Sequence, residues 1–135
     1  MGFIDRLRGK ADAAQEQKAG DDLERQFLLF QQQALQYVRN CRKALEENDR
    51  KSVVIWAEKF NKNYRDFTAK KNLYQALGKP FYDKYQDMVN ALGPIYEAVN
   101  GYVTGTAKDT QKIIGWIDNN SRFVAEVKIE RRKAA

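Results

Sequence analysis

The residue type best suited to nucleophilic chemistry in this chain is a thiol, and it occurs once, at Cys41. A thiol becomes reactive when a neighbouring base removes its proton, and the usual base, histidine, is absent from the sequence. That absence also excludes histidine-dependent triads and proton relays. One cysteine is too few for a zinc site built from these residues. We therefore expect Cys41 to pack as a small apolar side chain.

Carboxylates offer acid–base chemistry without histidine, and Asp83, Asp87 and Glu97 are spaced to approach one another on helical turns. Nothing in their surroundings predicts desolvation, so solvated helix exteriors are the expected environment. The stretch 101–108 lacks the spacing of a phosphate-binding loop, because Lys108 does not directly follow the second glycine. We predict no catalytic residue, metal site, cofactor or small-molecule substrate, and therefore a protein that is not an enzyme.

Positive charge is the next chemical feature, with a net charge of +6 that is unevenly spread. The excess lies in residues 48–78 and in the C-terminal tail. A basic surface attracts nucleic-acid phosphates or anionic lipid headgroups. The residues predicted to form it are Lys59, Lys62, Arg65, Lys70, Arg131 and Arg132.

The beginning of the chain combines apolar and cationic side chains. Phe3, Ile4 and Leu7 recur at helical spacing beside Arg6 and Arg8, as in a short helix that lies on a membrane or docks on a partner protein. We predict an amphipathic helix over residues 1–20. Gly20 is expected to break it, with Asp21 as the N-cap of the next helix.

Three further apolar stripes predict the elements that carry these residues. One runs from Leu23 to about Glu47, and a second runs from Val53 to Leu77 and ends at Gly78. Asn48 and Asp49 form a short connection between them, which predicts an antiparallel pair. A third helix begins at Pro80, and Gly93 with Pro94 is either a kink or a tight turn within it.

The tail changes in character, because Val, Ile and Thr become frequent after Gly101. Period-two alternation from Arg122 to Glu130 predicts a strand, with residues 112–117 as its partner in a β-hairpin. The alternative is a helix with Asp109 as N-cap and with inward residues at 113, 117, 124 and 127. The fold class is thus mainly α, an antiparallel bundle of three to four amphipathic helices with a C-terminal β-hairpin (α+β), or all-α. Residues 21–135 form one domain, in which 101–135 carries the hairpin.

These features together predict a non-enzymatic interaction or assembly protein. It would dock on a partner protein or an anionic membrane surface through Phe3, Ile4, Leu7, Arg6 and Arg8, or associate with itself. The alternative is a nucleic-acid-binding protein without sequence preference that uses the basic surface. With no apolar run of membrane-spanning length and no secretory pattern at the start, the expected location is cytoplasmic, or peripheral at a membrane.

Overall fold

The structure is a computed structural model that describes the backbone of residues 2–130 and the side chains of residues 14–130. Its elements in chain order are α1 (Gly2–Glu46), α2 (Arg50–Thr68), α3 (Lys71–Ala76), α4 (Lys79–Thr104) and α5 (Thr110–Glu126). α1 packs on α2 and α5, α4 also packs on both α2 and α5, and the short α3 lies against α4. The four long helices therefore close a ring, and the predicted mainly α bundle is confirmed.

Hydrogen bonds between helices show that neighbouring long helices run antiparallel. Asn61 of α2 and Asn100 of α4 exchange amide hydrogen bonds of 2.7 and 2.8 Å, and nearer the other end the Tyr85 hydroxyl donates to the Thr68 carbonyl at 3.0 Å. Residue numbers therefore increase in opposite directions along α2 and α4, so these two helices are antiparallel. The arrangement is that of an up-down-up-down four-helix bundle.

Aromatic side chains are concentrated in the core at the end of the bundle where α3 lies. The Phe30 and Phe67 rings stack with centroids 4.0 Å apart and planes within 3°, and Phe27, Tyr74 and Tyr85 pack around Phe67. Burial raises the pKa of the Tyr74 hydroxyl, since the phenolate would lose its hydration. These stripe aromatics therefore serve packing, as their helical spacing predicts.

The α1–α2 connection follows the sequence prediction closely. Asn48 has φ of +53°, the left-handed conformation that asparagine tolerates after a helix. Asp49 caps α2, because its carboxylate accepts hydrogen bonds from the Ser52 backbone N–H at 3.1 Å and from the Ser52 hydroxyl at 2.6 Å. The loop is therefore short enough to make α1 and α2 an antiparallel pair.

Two predicted boundaries are wrong. The chain does not break at Gly20, because α1 continues through it; one helical glycine costs only about 1 kcal/mol, which the burial of Leu23 and Phe27 readily offsets. Conversely, the second stripe is not one helix to Leu77, since α2 ends at Thr68 and a turn precedes α3. The Tyr85 hydroxyl bonds the Thr68 carbonyl at this break, and the turn lets Tyr74 enter the core.

Pro94 lies inside α4, which continues to Thr104. The alternative of a tight turn at Gly93 and Pro94 is therefore wrong, because α4 is continuous through both residues.

The predicted C-terminal β-hairpin is also wrong, because the described part of the tail forms α5 and then, at 127–130, a segment without regular secondary structure that begins with extended backbone at Val127. Asp109 caps α5 by accepting from the Lys112 N–H at 3.1 Å. Ile113, Ile117 and Val124 are buried, as the helical alternative requires, whereas Val127, its fourth inward residue, is half-buried just beyond the end of α5. Branched residues favour strands only where a sheet is available to pack them, and here a helix buries them against α1 and α4.

The end of α5 is held by a side chain from α1. The last four carbonyls of a helix lack partners within it, and the Gln31 amide donates to one of them, that of Val124, at 2.6 Å. The same amide donates to the Val127 carbonyl at 2.8 Å. Gln31 is itself buried, and Ile129 beyond it is buried as well. The segment 127–130 is thus fastened to α1.

Candidate interaction surfaces

The N-terminal part of α1 stands apart from the rest of the chain. All six residues from Ala14 to Ala19 are exposed, although they span more than one helical turn. With 45 residues α1 is about 68 Å long, whereas α2, with 19 residues, is about 28 Å long. We call residues 2–19 the N-terminal arm. Its described side chains are exposed on every side of the helix, and only at its end does Ala19 border a depression against Leu73 and Ala76 of α3.

The predicted docking residues Phe3, Ile4, Leu7, Arg6 and Arg8 belong to this arm. The backbone of α1 is helical through their positions, and their side chains lie outside the described residues. The predicted helical backbone at these positions is therefore confirmed, and the docking role of their side chains stays a prediction.

The predicted basic surface lies mainly on the outer side of α2, where Lys59, Lys62 and Arg65 are exposed. Lys70 is exposed just beyond the end of α2. The Lys59 ammonium lies 5.1 Å from the centre of the Trp56 ring, a cation–π distance. Glu58 and Asp66 are exposed on the same helix and dilute the positive charge. Arg131 and Arg132, the remaining members of the predicted surface, lie outside the described residues.

A third surface lies between α4 and α5 and was not predicted from the sequence. Trp116 is 49% exposed and Phe123 is 59% exposed. Trp116 borders a depression of about 450 Å³, whose α4 wall includes Pro94 and Ala98. Phe123 borders another of about 490 Å³, whose α4 wall is formed by Lys84, Asp87, Asn90 and Ala91. The two exposed aromatic side chains of α5 thus each lie beside a shallow depression between α4 and α5.

The sequence carried a signal for this surface. Trp116 and Phe123 are seven residues apart, which places them on one side of a helix. Read as strand residues, they gave no such pattern. The helical alternative for the tail would have found them, because it turns the isoleucines inward and these two rings outward.

The candidate catalytic groups have the environments expected of structural residues. Cys41 is fully buried, and desolvation raises the pKa of its thiol to about 12, so it stays protonated at neutral pH. Asp83 lies 4.0 Å from the Lys79 ammonium and Asp87 lies 3.7 Å from that of Lys84, both partly exposed pairs. Glu97 is exposed at the other depression from Asp87. The three carboxylates are therefore not brought together as an acid–base pair.

The stretch 101–108 forms the end of α4 and the following turn. Gly105 ends the helix with φ of +86°, a left-handed conformation that glycine adopts without strain. The Arg50 guanidinium donates to the Val103 carbonyl at 2.9 Å, and it lies 5.4 Å from the centre of the Tyr102 ring. This segment therefore joins α4 to the start of α2 and has a structural role.

The described residues show neither a metal-binding cluster nor a membrane-spanning helix. No cluster of three or more cysteine, aspartate or glutamate side chains is arranged around a common metal position in the part of the chain that the structure describes. None of the helices in residues 2–130 combines the length and apolarity that crossing a bilayer requires.

Comparison with known proteins gives no further assignment. The chain matches no protein-family model, no curated protein and no solved structure.

Proposed function

We propose that this protein is a non-enzymatic interaction and assembly protein that docks through its N-terminal arm on a partner protein or an anionic membrane surface. The observation that carries the proposal is the exposure of every residue from Ala14 to Ala19. A helical segment of this length is marginally stable in water by itself, because most helix stability in proteins comes from packing of an apolar face. An arm that is exposed on every side from Ala14 to Ala19 is therefore suited to a surface outside its own chain.

The composition of the arm indicates what that surface offers. Phe3, Ile4 and Leu7 supply apolar groups, and Arg6 and Arg8 supply cations beside them. An anionic lipid surface satisfies both kinds of group at once, and so does an apolar groove with an acidic rim on a protein. One short helix gives only weak lipid binding, so the basic side of α2 would add electrostatic attraction.

The test places a reporter on the arm at Gln17, which is exposed. An environment-sensitive dye is attached to a Gln17→Cys variant in a Cys41→Ala background, and emission is followed as anionic vesicles are added. Docking on lipid predicts a blue shift that is lost in a variant with serine at Phe3, Ile4 and Leu7. The matched control replaces the exposed Gln15, Glu16 and Lys18 of the same arm with serine and should keep the shift.

Vesicles that leave the dye in water point instead to a protein surface. In that case the full chain should be part of a larger complex in cells. The variant with serine at Phe3, Ile4 and Leu7 should be absent from that complex. If the dye stays in water and both variants distribute in cells as the natural chain does, the proposal is refuted.

The second candidate function is nucleic-acid binding without sequence preference, favoured by the exposed Lys59, Lys62 and Arg65 on one side of α2. Each phosphate contact contributes about 0.9 to the slope of log affinity against log salt on duplex DNA. Replacing all three cations with glutamate should therefore weaken binding and flatten that slope by about 3. Replacing Arg39, Lys43 and Lys108, which are exposed elsewhere, makes the same change in net charge and serves as the control. Equal effects of the two variants would argue against a specific α2 interface.

A further inference from the structure

The exposed side of α5 carries a row of residues with a near-symmetric order. Lys112, Trp116, Asn119, Phe123 and Glu126 follow one another at spacings of four, three, four and three residues, which keeps them along one side of the helix. We call this row the α5 ridge. All five are exposed in this chain.

We propose that the α5 ridge is the interface of a homodimer in which α5 packs antiparallel on the α5 helix of a second copy. The centre of the ridge is Asn119, which lies seven residues from both Lys112 and Glu126. A two-fold axis at Asn119 therefore brings the Lys112 of each copy beside the Glu126 of the other. The charges of the α5 ridge therefore complement those of a second ridge that runs in the opposite direction, as a two-fold interface requires.

The same axis brings the aromatic side chains together. Trp116 lies three residues before Asn119 and Phe123 lies four residues after it. In an antiparallel pair, the Trp116 of one copy thus lies next to the Phe123 of the other. The depressions beside them have nearly equal volumes of about 450 and 490 Å³. Each has room for the opposite ring, in the way that large aromatic anchors fill pockets at protein interfaces.

Gly115 is a second, independent feature of this side of α5. It is exposed, and a Cβ added there would meet nothing within 4 Å. Packing in its own chain therefore does not explain a glycine that costs about 1 kcal/mol relative to alanine inside a helix. A glycine beside the ridge allows another helix to approach closely, as small residues do at helix–helix contacts.

The size of the surface sets the expected strength of the dimer. With 17 residues α5 is about 25 Å long, and together with α4 it forms a strip about 20 Å wide. A footprint of about 500 Å² per copy is smaller than the about 800 Å² of a standard complex. We therefore expect a reversible, concentration-dependent dimer with a dissociation constant in the micromolar range.

Sedimentation velocity of the full chain, over about a hundredfold range of concentration around that micromolar value, tests the proposal. Replacing both Trp116 and Phe123 with serine should weaken the dimer at least about tenfold, because the anchors of a small interface carry most of its affinity. The control replaces Leu28 and Leu73, which are exposed to a similar degree at 52% and 55% on other faces, and should leave the dissociation constant unchanged. Circular dichroism checks that both variants keep their helices.

Exchange of charges tests the antiparallel geometry. Within one chain Lys112 and Glu126 are separated by fourteen residues, or about 21 Å along α5, so they do not pair directly. Lys112→Glu alone and Glu126→Lys alone should each weaken the dimer by about three- to tenfold. The two substitutions combined in one chain should restore it, because every pair between copies again joins opposite charges.

Three results would overturn the proposal. The natural chain could stay monomeric across the whole range, the serine variant of Trp116 and Phe123 could dimerise as the natural chain does, or the combined charge exchange could fail to restore what each single exchange loses. The Phe3, Ile4 and Leu7 serine variant should dimerise normally. Its behaviour separates a failure of this interface from a failure of arm docking.

Discussion

Gln31 offers the sharpest test of how the helices are held together. Its buried amide is the donor for the Val124 and Val127 carbonyls, at 2.6 and 2.8 Å, where α5 ends and the segment 127–130 begins. The substitution Gln31→Met removes the donor but keeps a side chain of similar length and helix propensity. It therefore changes the hydrogen bonding with little change in packing.

The expected loss follows from the two carbonyls left without a donor. Such a loss costs about 1–3 kcal/mol for a buried carbonyl, as at Val124, and about 1 kcal/mol for a partly buried one, as at Val127. We expect Gln31→Met to lower the free energy of unfolding by about 2–4 kcal/mol. At about 4 °C per kcal/mol for a chain of this length, the Tm should fall by about 8–16 °C.

Urea unfolding followed by circular dichroism measures this loss. Gln32→Met is the matched control, since Gln32 is the neighbouring glutamine and is exposed. It should stay within about 0.5 kcal/mol of the natural chain, as ordinary surface substitutions do. Trypsin should also cleave after Lys128 faster in Gln31→Met, because the segment 127–130 loses its attachment to α1. A destabilisation no larger than that of the control would show that the Gln31 amide does not hold the end of α5.

Three further predictions concern single residues. Cys41, buried and with its pKa raised to about 12, should react with a thiol reagent only as fast as the protein unfolds, and rapid labelling of the native protein would contradict its burial. Hydrogen bonds from the Ser52 hydroxyl and then the Ser52 N–H lower the pKa of Asp49 in the folded state. The stabilisation they give is therefore present above the unfolded-state pKa of about 3.9 and is lost as pH falls through the lower folded-state pKa. The Tm advantage over Asp49→Ala should shrink on acidification, whereas an Asp49→Asn cap should not titrate. Gly115→Ala should raise the free energy of unfolding by about 1 kcal/mol in dilute solution, since open space surrounds that position; a lower Tm would show a contact there.

The antiparallel pairing of α1 and α2 was predictable because its signals are local. Residues three and four apart share one side of a helix, so the stripe through Phe27 and Ala34 marks the buried side of α1 without knowledge of its neighbours. Asn48 and Asp49 end one helix and cap the next through contacts within a few residues. Cys41 was placed in the core on the same basis.

The candidate surfaces were predictable only in part. The outward cations of α2 follow from the same periodicity as its buried face, whereas the Trp116 and Phe123 surface depends on the tail being helical. The branched residues of the tail suit a strand or a buried helix equally well. Only the availability of α1 and α4 as packing partners decides between them.

What the sequence determined by itself is therefore the set of amphipathic helices, their buried sides and the short α1–α2 turn, because each depends on contacts within one or two helical turns. The tertiary structure alone decided the features set by distant residues. Burial of Leu23 and Phe27 outweighs the helix-breaking tendency of Gly20, and the break after Thr68 coincides with a hydrogen bond from Tyr85, on another helix. The end of α5 depends on Gln31, more than ninety residues earlier in the chain. Such contacts form only when the bundle closes, and no local pattern encodes which partner will be there.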